Sequence, residues 1–117
     1  MKTISTFQSD RSFMLVSYAH SHGVLLIRSK QTGGHSEEIY LVIKDVRAME
    51  ARMWFDGIAI DEVDQLYLAG FRSQPSAMVE FGNKIYALLG RDWEGFIVGG
   101  AMYFADSGDE VKALLSD

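Results

Sequence analysis

The amino-acid sequence predicts a mainly β domain: about eight antiparallel strands in a meander-like order, closed into a barrel or folded into a two-layer sandwich, with a short C-terminal helix. Three observations carry this. Short apolar runs recur about every 8 to 15 residues, too short for ordinary helices. The runs are rich in Val, Ile, Phe and Tyr, which suit a pleated, half-buried surface. Between them stand glycine-containing segments of the kind that close tight turns.

Taken in order, the runs are 13–19, 24–27, 39–43, 58–60, 66–69, 77–81, 85–89 and 96–104, and their apolar side chains are expected in the core. His20-Ser21-His22-Gly23 is a candidate turn after the first run, and Gly33-Gly34 links residues 24–30 to 37–43. Residues 45–55 have two readings. Asp45 could cap a helix with the stripe Val46, Met49 and Met53. The strand reading is preferred because Met49, Ala51, Met53 and Phe55 alternate. A two-residue turn at Asp56-Gly57 would then set Phe55 against Ile58 and Met53 against Ile60, with Trp54 opposite Ala59 and Arg52 opposite Asp61.

Further along, Gly82-Asn83 is expected to join strands 77–81 and 84–89, and residues 90–95, with Asp92 and Trp93 inside, to form another turn. Gly99-Gly100 reads as a bulge or bend where backbones approach closely. Ser107 or Asp109 can cap a final helix with the stripe Val111, Leu114 and Leu115, and Glu110 and Lys112 facing water. A helix this short is stable only when docked, so it should cover an end or edge of the sheet.

Composition narrows function mostly by exclusion. The 117 residues fit one domain spanning 1–117, with a single proline, Pro75, and no linker-like segment. There is no cysteine, so disulfides, thiolate metal sites and cysteine nucleophiles are excluded, and a cytoplasmic setting is expected. A net charge of -5 without a Lys/Arg cluster argues against nucleic-acid binding. The first strongly apolar run follows Asp10 and Arg11, which does not resemble a secretion signal, and no run reaches membrane-spanning length.

His20-x-His22 is the candidate metal site, since residues i and i+2 of a strand point the same way and could share a divalent ion with His35, Glu37 or Glu38. The spacing resembles part of the metal motif of cupin barrels. That motif also wants a carboxylate a few residues later, where Gly23 to Ile27 stand here. A solvated turn is the competing reading of the two histidines. Among the carboxylates, Glu50 and Glu80 sit in apolar surroundings, which outward positions on a sheet explain equally well. No Gly-x-Ser-x-Gly elbow and no phosphate-binding glycine loop occurs.

The candidate binding residues are Trp54, Arg52 and Trp93: Trp54 lies on an otherwise polar face and Trp93 in a turn beside Arg91 and Asp92. Trp and Arg dominate interface hot spots. The preferred functional reading is therefore a non-catalytic binding or protein-interaction module, with self-association around Trp54 as one form of it. The alternative is a small-ligand barrel, metal-dependent through His20 and His22, with Tyr18, Tyr40, Tyr67 and Tyr103 lining its interior.

Overall fold

A computed structural model describes residues 2–19, 23–29 and 38–115. The fold is mainly β, as expected, and ends in one short helix. Among the described residues nine strands, β1 (Lys2–Ile4), β2 (Thr6–Ala19), β3 (Val24–Ser29), β4 (Ile39–Ile43), β5 (Ala48–Glu50), β6 (Trp54–Val63), β7 (Lys84–Leu89), β8 (Glu94–Gly99) and β9 (Met102–Ala105), precede helix α1 (Gly108–Leu115). All pairings are antiparallel, in the order β1-β9-β4-β3-β2-β6-β7-β8-β5. The order is open: β1 and β5 end it, so the barrel alternative gives way to a folded sheet.

The sheet folds because β8 and β9, which lie toward opposite ends of it, are consecutive in the chain. Only Gly100 and Ala101 separate them. At this bend the Gly100 N–H donates to Lys44 O at 2.7 Å and the Lys44 N–H to Ala101 O at 3.2 Å. A Cβ on Gly99 would lie 3.2 Å from both Lys44 O and the Val46 Cα, so the expected close backbone approach is real. Apolar side chains from strands of both halves then share one interior: Phe13, Leu25, Ile27, Leu41, Ile43, Phe55, Ile60, Leu88, Ile97 and Met102, with Tyr86 among them.

Two smaller apolar layers cover the outside. The helix α1 lays Val111 and Leu114 on Val24, Leu26, Val42 and Ala105, which is a sheet face rather than an end or edge. Ser107 is its cap: its hydroxyl accepts from the Glu110 N–H at 3.3 Å. Leu115, expected in the buried stripe, is 40% exposed. On the other half, Leu68 packs with Ile85, Phe96 and Val98, with Tyr67, Phe71 and Val79 against them. Among the described residues no helix is long and apolar enough to cross a membrane.

Three local expectations fail for physical reasons. Asp56-Gly57 makes no hairpin; β6 runs straight through it, and Phe55 pairs with Phe13, Trp54 with Met14 and Ile58 with Ser9. The positive φ of Gly57, 75°, serves a bulge, where Asp10 and Arg11 on β2 oppose Gly57 alone. Arg52 accordingly does not face Asp61, which accepts instead from the Thr6 hydroxyl at 2.7 Å. Met53 is 60% exposed. Residues 45–55 hold the short strand β5, not a helix.

Runs 66–69 and 77–81 are not strands. Gln65–Gly70 and Pro75–Met78 are 3-10 helices, the first capped by Asp64, whose carboxylate accepts the Leu66 N–H at 3.0 Å. The second starts on Pro75, whose fixed φ suits a first helical turn. Leu66, Met78 and Phe81, expected in the core, are 80%, 47% and 108% exposed. Gly82-Asn83 still turns the chain into β7, with the Asn83 N–H on Glu80 O at 3.0 Å, but no strand precedes it.

The tyrosines report on the packing. Tyr86 donates to Gly100 O and Tyr67 to Gly95 O, both at 2.8 Å. Burial pushes both phenols up to about 12, with added repulsion from Glu62 at Tyr86 and from Glu94 and Glu50 at Tyr67. A pKa raised on folding stabilises the protein fully below the unfolded value, 10.0, and that stability is lost as pH rises toward 12. Tyrosinate absorbance should therefore show two phenols ionising about two pH units late. Tyr67→Phe and Tyr86→Phe should each remove one; all phenols titrating together would contradict the burial.

Candidate functional site

The three candidate binding residues, Arg52 and Trp54 from one segment and Trp93 from a distant one, meet at one place. Arg52 and Trp54 stand at the entry to β6, and Trp93 closes the turn between β7 and β8. That turn is the one expected from residues 90–95: Arg91 and Asp92 occupy its tip and the Gly90 N–H donates to Trp93 O at 2.9 Å. Ser12, Phe13, Arg52, Trp54, Phe55, Asp56, Arg91, Asp92 and Trp93 surround an open groove of about 500 Å³.

Two glycines seat Trp93. A Cβ on Gly90 would fall 2.0 Å from the indole Nε1, so the ring lies over a backbone that has no side chain. On Gly95 a Cβ would lie 3.2 Å from the ring edge. Phe55 packs against it at 5.7 Å between ring centroids, and the Arg52 guanidinium lies over the ring, 5.5 Å from its centre. Trp93 is therefore half-buried and held, whereas Trp54, 65% exposed, projects into solvent beside it.

The groove is balanced in charge although the chain carries -5: Arg52 and Arg91 stand against Asp56 and Asp92. Asp56 accepts a short hydrogen bond from the Ser12 hydroxyl across the β2–β6 ladder. Neither arginine makes an ion pair among the described residues. A second groove, along Gln8, Ser9, Asp10, Gly57, Ile58, Ala59, Leu89 and Gly90, shares Asp56 and Arg91 with the first.

His20 and His22, like His35 and Glu37, lie outside the described residues. Among the described residues no three His, Asp or Glu side chains gather as metal ligands. The side chain of Tyr18 is also outside them. Tyr40 and Tyr103 pack in the outer layer under α1, and Tyr67 in the outer layer on β7 and β8, so these three do not line one interior. Tyr40 donates to Glu38, which also pairs with Arg28; that hydrogen bonding, with burial, holds the Tyr40 hydroxyl above its ordinary pKa. Glu50 is exposed, and Glu80, 64% exposed at its side chain, lies 3.6 Å from Arg47.

Sequence reasoning named Arg52, Trp54 and Trp93, set Asp56 on the face of Trp54 and Arg91 and Asp92 beside Trp93, but did not bring the two groups together and missed Ser12 across the ladder. One signal was available: glycines at 90 and 95 bracket Trp93 closely enough to suggest a seat for a large ring. No protein-family model, no curated protein and no solved structure matches the chain.

Proposed function

We propose that this protein is a non-catalytic interaction module that docks a partner polypeptide in the groove between the start of β6 and the β7–β8 turn. The observation that carries this is the exposed indole of Trp54 beside Arg52 stacked on a seated Trp93. Large aromatic and guanidinium groups supply most of the binding energy at interfaces, and a ring already held in place loses little freedom on binding. The locally balanced charge also supports a protein partner, because the whole chain's acidity would repel an anionic surface while this patch would not. The absence of cysteine suits work in the cytoplasm.

Selection of a displayed library of random linear peptides on the protein tests the proposal. Trp54→Ala should weaken the enriched peptides about 30-fold, roughly 2 kcal/mol, while moving the unfolding midpoint little, because the side chain is largely solvent-exposed. Failure to enrich any peptide, or equal binding by wild type and Trp54→Ala, would overturn it.

A further inference from the structure

The main chain at this groove has a property that the side chains alone do not reveal. Beyond Ala59, β6 has no partner on its β7 side among the described residues: the ladder runs from Val63↔Ile85 to Ala59↔Leu89 and stops, while β2 continues alongside as far as Trp54. Residues 54–58 are therefore an open strand edge, and the groove lies between that edge and the β7–β8 turn.

The direction of the free groups follows from the ladder. The Leu15 N–H donates to Met53 O at 2.9 Å, which makes Leu15 and Met53 a hydrogen-bonded pair. Antiparallel pairs alternate, so Phe13↔Phe55 is also of that kind, while Met14↔Trp54 and Ser12↔Asp56 are not. The N–H and C=O of Trp54 and of Asp56 then point away from β2, into the open edge. Two donors and two acceptors stand there without a backbone partner among the described residues.

Building on the interaction reading, we infer that the partner enters by strand addition: an extended segment of another polypeptide pairs with the β6 edge at Trp54 and Asp56 and carries a carboxylate toward Arg52 and Arg91. The five residues of the edge span roughly 17 Å of strand, enough for two hydrogen-bonded pairs. Both arginines lack an ion pair among the described residues, whereas of the two carboxylates Asp56 is engaged by Ser12, so two unpaired guanidiniums stand against the single unengaged carboxylate of Asp92. That asymmetry favours an acidic side chain on the incoming strand. A second copy of this chain fits poorly, because two such edges paired about their middle residue would set Asp56 directly against Asp56.

The probe is the tightest linear peptide enriched on the wild-type protein, synthesised with single backbone N-methyl groups along its length. Strand addition predicts an alternating pattern, with methylation costing about tenfold or more at every second position and little between. It also predicts slowed hydrogen exchange at the Trp54 and Asp56 amides when peptide is added, and at least a fivefold loss with Arg91→Ala for peptides containing Asp or Glu. A flat methylation profile with unchanged exchange, in a peptide that Trp54→Ala still weakens, would overturn strand addition and leave groove binding standing. Peptides insensitive to both Trp54→Ala and methylation would overturn both. Enriched peptides without acidic residues would overturn the carboxylate, and a protein dimer that protects the same two amides would put a second copy on the edge instead.

Discussion

Gly95→Ala should be the most damaging alanine substitution among the described glycines, lowering stability by about 3 kcal/mol or more. The new Cβ would sit 2.0 Å from the Glu50 carbonyl oxygen and 3.1 Å from its carbon. A flexible side chain could swing aside, but this obstacle is the backbone of β5. Relief requires β5 to move outward, which strains its pairs Ala48↔Val98, Met49↔Ile97 and Glu50↔Phe96. The same methyl would press on the Trp93 ring, 3.2 Å away. Thermal unfolding should fall by roughly 10 °C, with altered near-ultraviolet dichroism from the displaced indole. Gly108→Ala is the control: nothing lies within 4 Å of its Cβ, and a change within about 0.5 kcal/mol is expected. Equal midpoints for the two variants would mean that β5 does not sit against Gly95.

Phe13→Ala should cost about 3–5 kcal/mol. Phe13 is 1% exposed and joins a run of rings: edge-on to Phe7 at 5.7 Å, stacked on Phe55 at 5.9 Å, with Phe55 in turn against Trp93. Its removal leaves a cavity inside the folded sheet and takes support from the floor of the groove. Denaturant titration should therefore show a lower midpoint together with red-shifted tryptophan emission in the native state. Phe81→Ala, which truncates a fully exposed ring, should change stability by less than about 0.5 kcal/mol. Similar losses for the two would contradict the placement of the interior.

These two phenylalanines show where sequence reasoning reaches its limit. Both lie in short apolar runs bounded by polar or glycine residues, and both were expected in the core. Phe13 has Phe55 across the β2–β6 ladder; Phe81 sits at a turn held by Glu80 and Asn83 and has no layer above it. Which run is covered depends on contacts between distant segments. The same holds at Asp56-Gly57, because positive φ at a glycine serves a two-residue turn or a bulge equally, and only the fourteen residues of β2 alongside decide for the bulge.

What the sequence determined by itself was set by local chemistry. Alternation and β-branched content marked most of the strands, serine before an apolar stripe marked the last helix, and glycine pairs marked the bend at 99–100 and the turn at 90–95. It also marked Arg52, Trp54 and Trp93 as unusual, since a tryptophan among charges is legible without a fold. Tertiary structure alone decided that these three share one groove, that Gly90 and Gly95 seat Trp93, and that β6 outruns β7 to leave an edge open. Strand pairing is the reason: every residue but proline carries the same backbone donor and acceptor, so the partner each edge finds, or lacks, is settled by how the whole sheet folds.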